Sequence, residues 1–459
     1  VSYASVHLVG AKNGRKIGMM SNIAAMPVEN SKKTLLWFTN NLRTHDSFYW
    51  QHISPQDQVV AVYCIEPSWL KTTEWGWKKM EVFRAQFMLE TLNDLQQRLA
   101  EFNIALYVFI GSAVDVIPLI HQDFEFDTIV SQQHWTEEET LRKDAIKQAL
   151  PQLKWLQDYD RLLIQPQDLP FSIRNIPNVF TKFRRAVEDQ LIIKPPIDDA
   201  IRLNALTLLP YNTPIPSLTD LGYSAYTVDT RSACQINGGE QAALNHVSNY
   251  LWDQQQILSY KLTRNELIGK DYSSKFSPWL ANGSLSVRTL YQQLKLFEQQ
   301  VTANESTYWM FFELLWRDYF SYISLKSGRA LFKLDGILAV QYPWVIDKKL
   351  IQKWINGTTE YDFVNANMIE IAKTGWMSNR GRQNVASYWA KEKQQDWRIG
   401  ASYFEAMLID YDVHSNYGNW NYLAGVGNDP RNRQFNIKTQ TQRYDPQRAF
   451  CDLWLSSRD

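Results

Sequence analysis

Between Thr34 and Leu156 short apolar runs alternate with longer amphipathic ones, and this alternation restricts the fold more than any other feature of the chain. Thr34–Thr39, Gln58–Ile65, Ile104–Ile110, Phe126–Val130 and Leu153–Leu156 read as strands. Lys79–Ala100 sets Met80, Phe83, Phe87 and the Met88/Leu92/Leu95/Leu99 row at helical spacing; Val114–Ile120 and Glu137–Leu150 continue the series. Apolar strands separated by helices form a parallel sheet covered on both faces. The expected first domain is therefore a doubly wound parallel-sheet α/β layer over residues 34–165. Neither G-x-G-x-x-G nor a Walker A pattern occurs, so the usual dinucleotide and phosphate fingerprints are missing.

From Pro166 to Gly239 prolines recur, and the stretch reads as a long connector with one helix near Lys182–Gln190. Beyond Gly239 the apolar periodicity is helical almost throughout, which predicts an all-helical second domain over residues 240–459. Residues 1–33 carry Lys12, Arg15, Lys16, Lys32 and Lys33 with no acid before Glu29, and read as a flexible or transit-like extension. Formal net charge is zero, so any affinity for nucleic acid must come from a local patch. Cys64, Cys234 and Cys451 lie far apart and make neither a disulfide framework nor metal-ligand spacing; no metal is expected. No apolar run is long enough to span a bilayer. The expected protein is a cytoplasmic monomer, or an organellar one if the extension is a transit peptide.

Four segments carry possible chemistry. In Asp410–Trp420 two acids precede Asn416 and Trp420, which share a helix face. An amide beside an indole suits a planar heterocycle; the same pattern also suits N-cap acids and a core tryptophan. In Tyr260–Trp279, Ser277 reads as an N-cap and Pro278 as the first helical residue, with Ser273 and Ser274 just before. Hydroxyls and free N–H groups there could hold a phosphate or merely cap a helix. Glu313, Trp316 and Arg317 fall on one face of an aromatic helix, as a ring-binding group or as an ion pair over a core indole. Arg380 and Arg382 begin a helix where the dipole favours acids, which suggests that they answer a specific anion or carboxylate such as Asp410.

Taken in order with Asp168–Phe171, Pro177–Arg184, Asp271–Leu280, Leu314–Arg317, Thr374–Arg382, Gly425–Arg431 and Tyr444–Pro446, these segments resemble the photolyase/cryptochrome family of flavoproteins, and most closely its DASH-type cryptochromes. The resemblance spans Thr34 to Leu455. It implies that the helical domain binds FAD. Tyr260, Ser273, Ser274, Lys275, Phe276 and Ser277 would hold the adenine and phosphate side. Arg382, Asp410 and Asp412 would face the ring and ribose, Asn416 the flavin N5, with Glu313 and Arg317 close by. Trp420, Trp397 and Trp344 would form an electron relay.

The implied activity is blue-light repair of cyclobutane pyrimidine dimers, mainly in single-stranded or looped DNA. Glu313 and Trp316 would hold the dimer, with Gln383 and Tyr422 giving a more polar pocket. Arg380, Arg431 and Arg433 would meet phosphates, with Lys182, Arg184 and Arg185 as further candidates. The alternatives are a photoreceptor that binds DNA or a partner without repair, and a redox flavoprotein. A 5,10-methenyltetrahydrofolate antenna is left open. Relatives hold it partly through a glutamate after the fourth strand, where this chain has His134 or Trp135, with Glu137–Glu139 displaced. Thr39, Asn41, Asn282, Ser284, Glu360, Asp362 and Asn365 also depart from the family's pattern.

Overall fold

The structure, a computed structural model, describes residues 31–197, 200–429 and 431–456; most of the N-terminal extension lies outside them. Strands β1 (Lys33–Phe38), β2 (Gln58–Ile65), β3 (Ala105–Ile110), β4 (Thr128–Gln132) and β5 (Lys154–Asp158) form one parallel sheet in the order β3-β2-β1-β4-β5. Leu35 pairs with Val60 on one side and Ile129 on the other. Alternation along the strands divides the core. Leu36, Phe38, Val59, Ala61 and Tyr63 pack on α1 (Val82–Glu101), whereas Leu35, Trp37, Val60, Val62 and Cys64 pack on α2 (Ala113–Phe124) and α3 (Glu137–Ala149). The predicted Met88/Leu92/Leu95/Leu99 row faces the sheet, while Phe87 joins the core of the helical half.

After α4 (Phe180–Glu188) the connector runs over the α/β layer. Its backbone is pinned where the Leu203 N–H donates to the Phe102 carbonyl and the Asn204 N–H to that of Pro55. The rest is helical: α5 (Glu240–Ser248), α6 (Tyr260–Thr263), α7 (Ser277–Asn282), α8 (Val287–Gln300), α9 (Glu305–Ser327), α10 (Lys348–Ile355), α11 (Asp362–Thr374), α12 (Asn379–Ser387), α13 (Trp397–Met407), α14 (Val413–Ala424), α15 (Ile437–Tyr444) and α16 (Ala449–Leu455). Among the described residues no helix is long and apolar enough to cross a membrane. The three cysteines are buried and free.

The two halves meet over buried charge. Arg288 on α8 donates to Asp46, 2.6 Å to Oδ1 and 2.9 Å to Oδ2. Arg43 lies 2.8 Å from Asp160 and donates to the carbonyls of His45, Asp46 and Gly283. Gly283 is obligatory here, because its φ is +75° and a Cβ would stand 2.1 Å from the Asn40 carbonyl oxygen.

Removing one partner of such a pair strands the other charge. Asp46→Ala should cost about 3–5 kcal/mol, read as a fall in the urea midpoint. Burial alone would raise the Asp46 pKa, but Arg288 and Arg43 hold it below the usual carboxylate range. The pair's contribution should therefore be complete above about pH 4 and be lost as pH falls through the depressed value, a dependence absent in Asp46→Ala.

Candidate flavin and substrate site

A cavity of about 540 Å³ opens into the helical half between α7, α9, α12 and the loop before α14. That size is ordinary for a cofactor site. A smaller hollow of about 80 Å³ shares Arg382, Asp410, Asp412, Ser415 and Asn419 with it, and adds Asn416 and Trp420. The predicted residues thus converge from separated segments. Tyr260, Ser273, Ser274, Lys275, Phe276 and Ser277 line one wall, and Glu313, Trp316 and Arg317 another. Arg380, Gln383, Tyr422, Arg431 and Arg433 also line it.

Ser277 does not cap α7, contrary to expectation. It is the first helical residue, and its hydroxyl donates to Asp410 Oδ2 at 2.8 Å. Arg382 does answer Asp410, with Nη2 2.9 and 3.0 Å from its two oxygens. Asp412 caps α14 by accepting from the Ser415 N–H and is ion-paired to Arg161. Burial alone would raise its pKa, but Arg161 and Arg317 hold it well below the usual range. The cap reading thus holds for Asp412, which also lines the cavity.

Arg317 does not pair with Glu313. Its guanidinium turns to the carbonyls of Arg161 and Leu280, and burial pulls its pKa down to about 10. Glu313 is held instead by Arg264 at 2.5 Å and by the Trp309 indole N–H at 3.2 Å. Burial raises its pKa, against the pull of Arg264. Sequence reasoning missed Arg264 and Trp309, although each sits four residues from a named position, Tyr260 and Glu313. It also missed Phe180, whose ring stacks on Trp316 at 3.7 Å and 16°. Arg431 is paired with Asp429 at 2.5 Å.

Asn416 donates to the Ala401 carbonyl at 3.0 Å. Trp420 is 1% exposed, and its indole N–H finds no partner among the described residues. Its ring lies so close to α13 that a Cβ on Gly400 would stand 2.2 Å from it. Trp397 is one turn away on α13, fully buried, and donates to the Leu334 carbonyl; Trp344 is partly buried.

The donor set fits FAD. Ser273, Ser274, Lys275 and Ser277 line the cavity together with Asp410 and Asp412, each already paired with an arginine. The unpartnered indole N–H of Trp420 lies in the adjoining hollow. Lys275 adopts φ +54°, rests its ammonium 3.2 Å above the Tyr272 ring and donates to Ser273 Oγ. Burial pulls it down to about 8.

Two family descriptions match the chain: "DNA photolyase" over residues 34–200 and "FAD binding domain of DNA photolyase" over 309–458. The Cryptochrome DASH of Gloeobacter violaceus is 41% identical over 430 residues, covering 93% of this chain and 86% of that protein. The chain belongs to the photolyase/cryptochrome family. An Arabidopsis thaliana relative, "Cryptochrome DASH, chloroplastic/mitochondrial", is 38% identical over 94% of this chain and 78% of its own length. The crystal structure of the Synechocystis sp. PCC6803 cryptochrome superposes with a TM-score of 0.88 at 39% identity, covering 93% of this chain and 89% of that one. The cofactor of the helical domain is FAD.

A diphosphate attracts Lys275 only while the lysine is charged. FAD affinity, measured by fluorescence quenching on binding, should hold below pH 8 and weaken as pH rises above it. Lys275→Met should bind more weakly at neutral pH and lose that pH dependence.

Proposed function

We propose that the protein is a blue-light-driven lyase that splits cyclobutane pyrimidine dimers in single-stranded or looped DNA. The observation that supports this reading is one cavity lined both by residues assigned to FAD, among them Ser273, Ser277, Arg382 and Asp410, and by Glu313, Trp316, Gln383 and Tyr422. Bound FAD supplies blue-light absorption and, when reduced, the electron that opens the dimer.

The chain's own residues bind and orient the dimer. Phe180 backs one face of Trp316, which makes the indole a flat platform for a flipped pyrimidine. Glu313, fixed by Arg264 and Trp309, presents a carboxyl group that can hydrogen-bond the edge of a pyrimidine. Gln383 and Tyr422 keep the mouth polar. They provide less apolar surface to offset extrusion from a duplex, and extrusion is cheapest from a single strand. Arg380 and Arg433 supply positive charge for the backbone, while Arg431 would reach a phosphate only in exchange for Asp429.

The reduced protein, illuminated with a dimer-containing oligothymidine, should restore thymine absorbance, and do so faster on single strands than on a duplex. Trp316→Ala should weaken binding by about 1–3 kcal/mol. No recovery on single strands would reject the lyase and leave the photoreceptor reading.

A second cavity, about 460 Å³, lies between the C-terminal edge of the sheet and the helical half. We place the antenna folate there. Its acids are Glu137, Glu138, Glu139 and Glu405, with Lys79, Arg84 and Tyr411 alongside. His134 and Trp135 are used elsewhere: His134 bonds to Thr39 at 2.8 Å, and Trp135 stacks on His414 at 4.4 Å. Equilibrium dialysis with 5,10-methenyltetrahydrofolate should show stoichiometric retention that Glu405→Gln weakens; no retention by the wild-type protein would sink this assignment.

A further inference from the structure

The motif-assigned relay leaves Trp420 through Trp397, yet the ring packed against Trp420 is Phe404, with centroids 5.2 Å apart at 69°. On from Phe404, nearly parallel to it at 12° and 6.4 Å away, lies Trp354. Trp354 in turn packs against Trp389, with centroids 4.6 Å apart and the rings tilted by 31°. These rings come from α13, α10 and the turn that follows α12, so three elements converge to build one aromatic file. Both tryptophans are wholly buried. The Trp389 N–H donates to the Asp396 carbonyl at 2.9 Å, and that of Trp354 has no partner among the described residues.

A buried tryptophan is ordinarily core, and one alone would carry nothing. Here two indoles, the side chains most easily oxidised, are in contact and share a positive charge better than either alone. The file joins them to the residue already assigned as the flavin's electron donor.

We propose that Trp354 and Trp389 form a second electron-donor branch to Trp420, bridged by Phe404. The inference rests on the flavin-site reading above, not on DNA repair. When Trp420 has lost one electron, Trp354 is oxidised by one electron and Trp420 is restored. The positive charge then rests on the Trp354–Trp389 pair. No proton moves, because neither indole N–H faces a base. An added thiol later returns the electron and releases its proton to water. Phe404 is too hard to oxidise to hold the charge; it fills the gap with π-electron density in place of empty space.

The test uses the full FAD-loaded chain, illuminated with a thiol present, in a Trp397→Phe background that blocks the motif-assigned route. Transient absorption should still show a long-lived tryptophan radical cation, and light-dependent oxidation products should map by mass spectrometry to the peptides holding Trp354 and Trp389. Adding Trp354→Phe should leave only the short-lived Trp420 radical cation and abolish the products at Trp389. Phe404→Leu, which removes no donor, should slow the appearance of the long-lived cation. Loss of the long-lived cation in Trp397→Phe alone, or its persistence after Trp354→Phe is added, would overturn the branch. A wild-type chain that binds FAD but forms no tryptophan radical at all would overturn the relay with it, whereas failure of DNA repair alone bears only on the lyase.

Discussion

Two arginine–aspartate pairs, buried where the sheet meets the helices, set the register of everything else. Arg43 and Asp46 lie in the loop after β1, Asp160 just beyond β5, and Arg288 in the first turn of α8. Their side chains are almost wholly removed from water, and that removal carries a penalty of several kcal/mol per ion. Burial pushes Asp160 up to about 6, with the carboxylates of Asp46 and Asp158 adding to the rise, even though Arg43 and Arg288 oppose it. A wall of well-packed leucines would be at least as stable. The pairs tie α8 to the sheet, since Arg288 reaches Asp46 at 2.6 Å and Asp160 at 3.7 Å. The same geometry aims Arg161, next in sequence to Asp160, into the helical half.

That placement carries through to the cofactor helix. Arg161 holds Asp412 at the N-terminus of α14, and Trp135, from the loop after β4, stacks on His414 one residue into it. The Trp135 N–H donates to Ser324 Oγ, which also contacts His414 Nδ1, so α9 is tied to the same point. Farther along α14, Gly418 lets Phe320 approach, since a Cβ there would meet its ring at 2.4 Å. Asn416 and Trp420 thus stand on a helix held from two sides, one of them belonging to the α/β layer. Rigid support of this kind is what a site needs to keep its geometry within the fraction of an ångström that chemistry demands.

The fold was legible because two periodicities, that of strands alternating with helices and then that of helices alone, are written in apolar residues that need no partner to be recognised. The Arg382–Asp410 pair was legible too, since an arginine in the first turn of a helix calls for an explanation. What stayed hidden was pairing across long separations. Helical spacing left Glu313 and Arg317 open as an ion pair or as a ring-binding group, but burial turns Arg317 toward two carbonyls, and Arg264 pairs with Glu313. Ser277 looked like a cap because caps are local; its actual partner, Asp410, lies in a distant segment. The departures from the family pattern also have local uses that one sequence does not reveal. Asn282 donates to Thr91 and accepts from Ser284, and Asn365 accepts from the Thr359 N–H.

The charges at the large cavity differ in how far they are already answered. Arg382 is committed to Asp410 and Arg161 to Asp412, so these two pairs add little net charge. Among the described residues Lys275 makes no ion pair and donates to Ser273 Oγ, and Arg380 and Arg433 on the same wall make none either. Glu370, the buried acid near enough to oppose Lys275, is itself pushed up to about 8 by burial and so offers little negative charge at neutral pH. Uncompensated cations thus stand on the same wall as hydroxyls and neutralised acids, a lining that can meet an anionic group with both charge and hydrogen bonds. The sequence spacing of the serines and Trp420 therefore matters less than which of the site's positive charges are already answered.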